Sequence, residues 1–133
     1  MELDKKQKKE LKRICKKYHL KMVLLFGSQI SGQLNKESDI DIAVLPEKKI
    51  DFHQETMLNY ELTRIFRTDK IDLVNLRTAS PLLARQIIDH SKILYEIRSD
   101  IFSRYKLYVL QRYREATPLF IMHKKAIESF ITT

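Results

Sequence analysis

Glycine and proline are scarce in this chain of 133 residues, with two and three copies, so a flexible linker, a collagen-like repeat and a glycine-rich loop are excluded. The single cysteine, Cys15, excludes an internal disulfide and any cysteine-based structural zinc site, and reads as a small core residue. Long apolar runs are also missing. The longest is Met22 to Phe26, far below the roughly 20 residues needed to cross a bilayer. The lysine-rich start is followed by no apolar stretch of the signal-peptide kind, so a cytoplasmic protein without a membrane role is expected.

What remains is a composition for a packed domain: hydrophobic residues make up 44% and charged residues 32%. The length suits one domain, 1–133, and is too short for two independent cores. The net charge of +8 is unevenly spread: +6 over residues 1–21, −2 over 22–97 and +4 over 98–133. A basic excess attracts polyanions such as nucleic acid, nucleoside triphosphates or an acidic protein, and charge alone does not choose among them.

Hydrophobic periodicity orders the elements. Residues 4–18 form an amphipathic helix with Leu11, Ile14, Cys15 and Tyr18 inward and lysines elsewhere, readable as a polyanion patch or, more simply, a solvated face. Met22–Phe26 is a buried strand ending at Gly27-Ser28, with a short helix expected after it. The run Asp39 to Leu45 alternates, placing Ile40, Ile42 and Val44 on one face and Asp39, Asp41 and Ala43 on the other. A helix over 52–67 carries Phe52, Leu58, Leu62, Ile65 and Phe66 on its stripe, and Lys70–Leu76 is a third strand. Ser80-Pro81 opens a helix to about Asp89, and Lys92–Ile97 is a fourth strand. Ser99 or Asp100 caps a helix with Phe102, Tyr105, Val109 and Tyr113 inward, and Thr117-Pro118 opens a last one to about residue 131. The fold class is α/β (α+β), with a core over about 20–97 and C-terminal helices over about 99–131.

The chemistry concentrates in Gly27-Ser28, ten residues, then Asp39-Ile40-Asp41. Period-two geometry puts both carboxylates on one strand face, where like charges shift each other's pKa and call for a cation. Magnesium is held by one or two carboxylates together with substrate phosphates. Gly27 lets the backbone approach a ligand, and Ser28 adds a hydroxyl and an N–H where anions are favoured. Asp72 is a third strand-borne acid, beside Val74 and Leu76 on an otherwise apolar face. Such an acid is costly unless ion-paired or metal-bound. Three acids could hold two metal ions. Solvated acids on an edge strand are the simpler alternative for the pair, and a salt bridge for Asp72.

Gly27-Ser28-x10-Asp39-x-Asp41 followed by a strand with Asp72 resembles the polymerase-β-type nucleotidyltransferase superfamily. The segments 71–76, 80–83 and 104–119 are similar to its minimal branch, the MNT or MntA-type proteins, and the resemblance covers about residues 20–120. It implies a small mixed sheet flanked by helices with a helical C-terminal end. It assigns the nucleotide's phosphates to Gly27 and Ser28, Mg²⁺ to Asp39 and Asp41, and orientation or deprotonation of the acceptor hydroxyl to Asp72, also counted among the metal ligands. Attack on the α-phosphorus of ATP would release pyrophosphate and leave AMP on the acceptor.

The branch further implies an antitoxin that adenylylates a tyrosine of a HEPN-domain ribonuclease toxin, its hetero-oligomeric partner. One departure stands out: the usual arginine after Gly-Ser is replaced by Ser31, which raises the standing of an antitoxin that masks its toxin without catalysis. A small-molecule, aminoglycoside-type enzyme is the third reading, and direct nucleic-acid binding is not favoured. The Arg85-x4-His90 match to a HEPN ribonuclease pattern is read as coincidence, because it joins a helix to a strand.

Overall fold

The structure is a computed structural model, and it describes residues 2–27 and 40–132. Ser28, Ser31, Asp39 and the helix expected after Ser28 therefore lie outside the described residues. Helix α1 (Lys5–Lys17) leads into β1 (Leu20–Phe26); β2 (Ile40–Pro46), α2 (Phe52–Phe66), β3 (Ile71–Asn75), α3 (Pro81–Asp89), β4 (Ser91–Glu96) and α4 (Ile101–Thr132) follow. The four strands form one mixed sheet in the order β3-β2-β1-β4, with β2 and β3 parallel and the other pairs antiparallel.

Strand alternation splits the core into two layers. On one face Val23, Leu25, Ile40, Ile42 and Val44 meet Leu11, Ile14 and Cys15 of α1 and Leu58, Leu62, Ile65 and Phe66 of α2. On the other, Met22, Leu24 and Ala43 meet Ala84, Ile87 and Ile88 of α3 and Ile101, Tyr105 and Val109 of α4. The expected separation of Ile40, Ile42 and Val44 from Ala43 and the buried Cys15 are observed.

Both helices of the first layer start with a capping box: Asp4 with Gln7, and Asp51 with Gln54, each pair exchanging side-chain and backbone hydrogen bonds. Glu61 ties the layer together, accepting from Lys17 Nζ at 3.1 Å. Burial pushes the Glu61 carboxyl up, but hydrogen bonds from Tyr18 and Lys17 outweigh it and the net shift is downward.

Three expectations need correction. Phe52 is 86% exposed. It stands six residues before Leu58, about a third of a turn off the stripe that Leu58, Leu62 and Ile65 define. The two C-terminal helices are one, α4, which runs through Pro118. Proline removes the N–H that would bond to the carbonyl four residues earlier. Thr117 stays helical and its hydroxyl donates to the Tyr113 carbonyl at 2.7 Å, so the capping type of residue serves mid-helix instead. At the start of α4 the open Phe102 N–H is taken by Glu96 Oε2 at 2.9 Å, not by the Ser99 or Asp100 side chain. Asp72 is exposed. No described helix is long and apolar enough to cross a membrane.

Candidate active site

Strand pairing places the acids. In the parallel pair β2–β3, Asp41 is the register partner of Asp72, so the two side chains emerge from adjacent strands on the same face. Neighbouring strands lie roughly 4.8 Å apart, which brings these carboxylates side by side. The row continues through Phe26 on β1, opposite Asp41, to Ser91 on β4, opposite Phe26. It runs along one end of the sheet, on the face covered by α3 and α4.

The cover is incomplete where the acids stand. Val74 and Leu76 lie on the same β3 face as Asp72 and pack into the α3/α4 layer, while Asp72 at the strand's open end is exposed and Asp41 is half-buried. Asp72 thus reaches solvent although its neighbours in sequence are apolar. Mutual repulsion of two like charges remains, and a cation between them relieves it.

Gly27 closes the site from the end of β1. Its φ of +82° is in the left-handed region, which costs a residue with a side chain about 1–2 kcal/mol. A Cβ there would collide with Asp41 Oδ2 and stand 3.1 Å from Asp41 Cγ. The glycine is thus needed twice, for its backbone angle and for the space the Asp41 carboxylate occupies. The motif reading attached Gly27 to phosphates; its packing against Asp41 was not foreseen, and the register of Phe26 with Asp41 is what creates it.

Adjacent carboxylate oxygens with backbone pressed against one of them form a hard-donor set that suits Mg²⁺. Among the described residues no group of three His, Cys, Asp or Glu could hold a metal, and Asp39 lies outside them. The described histidines His19, His53, His90 and His123 are all exposed. Arg85 lies in α3, bonded to Asp89 Oδ2 at 2.8 Å and stacked 5.2 Å from the Tyr113 ring centroid, which agrees with a packing role. Ser91 is a residue the motif reading passed over. Its Oγ is buried at the far end of the row, with no hydrogen-bond partner among the described residues.

Comparisons with known proteins agree with this geometry. The polymerase beta nucleotidyltransferase family matches residues 9–100. Protein adenylyltransferase MntA of Aphanizomenon flos-aquae is 33% identical over 130 residues, covering 91% of this chain and 87% of that one. A crystal structure of a toxin–antitoxin with AMP-PNP contains a chain 25% identical, with TM-score 0.73, covering 95% of this chain and 98% of that one. The fold also recurs in a complex of tri-AMPylated Shewanella oneidensis HEPN toxin with MNT antitoxin, at 24% identity, TM-score 0.67, and coverage of 96% and 97%. With a 92-residue family match that takes in Gly27, Asp41 and Asp72, the chain belongs to the polymerase-β-type nucleotidyltransferases, in their minimal, MntA-like branch.

Proposed function

We propose that this nucleotidyltransferase is the antitoxin of a toxin–antitoxin pair, and that it transfers AMP from ATP to a tyrosine of a HEPN-type ribonuclease partner. The observation that carries the reading is the Asp41–Asp72 pair in register on adjacent strands, with Gly27 packed against Asp41. Similarity to an adenylyltransferase and to a toxin–antitoxin chain solved with an ATP analogue supports the choice of nucleotide and partner.

Asp41, Asp72 and Asp39 would hold Mg²⁺, which when bound neutralises phosphate charge and favours the ionised acceptor oxygen. The chain's own residues supply position. Gly27 and Ser28 bring backbone N–H groups to the triphosphate, and Asp72, exposed at the sheet end, faces an incoming hydroxyl. The tyrosine oxygen forms a bond to the α-phosphorus, the bond from that phosphorus to the bridging oxygen breaks, and pyrophosphate leaves. The hydroxyl proton passes to Asp72. Alignment and charge stabilisation account for such a transfer without a covalent enzyme intermediate.

Intact-mass spectrometry of the partner after incubation with this chain, ATP and Mg²⁺ tests the reading. AMP-sized additions that vanish with EDTA or with Asp41→Asn are expected. An unchanged partner mass beside a stable complex would instead assign a masking antitoxin without catalysis.

A further inference from the structure

The transfer proposed above, on which everything that follows rests, asks Asp72 to take a proton from a tyrosine. A phenol ionises at about 10 and a carboxylate at about 4, so a carboxylate alone is a weak base for that proton. A positive charge beside the acceptor oxygen favours its ionised form. The fold shows which residue can bring one.

The sheet order gives the site a direction. Gly27 follows β1, Asp41 lies on β2, and Asp72 lies on β3, an edge strand. Phosphates held at Gly27 therefore leave the acceptor to the exposed Asp72 corner. The β2–β3 ladder reaches one residue beyond β3 here, because the Ile40 N–H donates to the Lys70 carbonyl at 2.7 Å. Ile71 and Leu73 pack against the α1/α2 layer and Val74 against the α3/α4 layer. The same alternation puts Lys70 on the face of Asp72, roughly 6.6 Å further out along the strand. Lys70 is exposed, and its flexible four-carbon stem can span that distance.

Other described cations at this end are directed elsewhere. Lys92 pairs with Leu25 in the β1–β4 ladder and shares that residue's face, on the α1/α2 side. Arg85 bonds to Asp89 and stacks on Tyr113, and Arg67 reaches Asp4 at 3.6 Å. The stretch 27–35 contains no lysine or arginine.

We propose that Lys70 is the cation of the acceptor side. Its ammonium lies against the acceptor oxygen in the productive complex and stabilises the negative charge that forms there as the proton passes to Asp72. Lys70 stays protonated throughout, so the bonds made and broken are those given above. A lysine that gripped the leaving pyrophosphate would belong at the Gly27 end, two strands away.

Rates of AMP transfer to the HEPN-type partner test this, with AMP-PNP affinity read in parallel by calorimetry. Lys70→Gln should lower kcat by about 10²-fold, the loss seen when one donor to a developing oxyanion is removed. Its AMP-PNP affinity and melting temperature should stay at wild-type values, and Lys70→Arg should restore most of the rate. With a heavily ring-fluorinated tyrosine as acceptor, already ionised at neutral pH, the Lys70→Gln loss should shrink towards unity. A wild-type rate in Lys70→Gln overturns the proposal. So does an AMP-PNP affinity that falls in step with the rate, which would move the lysine to the phosphates. A loss of equal size on both acceptors also overturns it, since a merely structural lysine would give that result. A wild-type chain that transfers no AMP to its partner would overturn the underlying reaction, and this role with it.

Discussion

The two faces of the sheet use the same strands for opposite ends. The α1/α2 face is closed by buried aliphatic side chains and ends in paired caps and lysines. The α3/α4 face leaves Asp41 and Asp72 at an open end, with Gly27 holding backbone against one of them. One strand serves both: Ile40, Ile42 and Val44 of β2 belong to the first layer, while Asp41 and Ala43 turn to the second. The lesson is a division of labour by residue parity, in which stability and catalysis can be altered separately although the residues alternate along one strand.

The strongest test of that division is Asp41→Asn. Transfer of AMP should fall by about 10³-fold or more, in the range seen when a main charge-stabilising group is lost, while the melting temperature changes little. A parallel loss of fold and activity would break the comparison. Leu62→Ala, on the closed face, should do the reverse. This fully buried side chain should cost about 2–5 kcal/mol in denaturant unfolding, with the transfer rate of the folded protein kept.

Gly27→Ala sits between the two. The left-handed backbone costs about 1–2 kcal/mol, and the new Cβ must displace the Asp41 carboxylate, so both unfolding free energy and transfer rate should drop. A variant that lost stability alone would separate Gly27 from the site. Asp4→Ala removes a helix cap on the closed face. It should cost about 1 kcal/mol in unfolding free energy and leave transfer unchanged.

Alkaline titration gives the smallest effect. Burial pushes the Cys15 thiol from 9.0 up to about 12, and burial with the Glu61 hydrogen bond pushes the Tyr18 hydroxyl from 10.0 up to about 12. Burial does the same to Tyr105 on the other face, also to about 12. Each group holds its proton more tightly when folded, so its stabilisation is complete below the unfolded value and is lost as pH rises towards 12. Unfolding free energy should therefore decline from about pH 9 upward. In Cys15→Ala, measured against its own value at pH 7, the decline should begin only near pH 10, where the tyrosines take over.

Much of the fold was legible because short-range geometry dictates it. The alternation at Ile40–Val44, the 3.6-residue stripe of Leu11, Ile14 and Cys15, and the Ser80-Pro81 start all follow from backbone periods and terminal N–H groups. Where the same local signal fits two structures, reading it failed. Thr117-Pro118 suits a helix start, yet also a helix interior once the threonine hydroxyl takes a carbonyl, and α4 is continuous. Phe52 is apolar enough for a stripe but starts the helix at the wrong angle to reach the core.

The candidate site divides in the same way. The amino-acid order alone determined that Gly27, Asp41 and Asp72 end or line strands, and that Asp41 turns away from Ile40 and Ile42, because side-chain direction along a strand has period two. Only the tertiary structure decided that Asp41 stands beside Asp72, 31 positions later, and that Gly27 leaves no room for a Cβ next to the Asp41 carboxylate. Those relations depend on which strands pair and in what register. Pairing register is settled by the burial of two whole layers at once, which no local stretch of sequence contains.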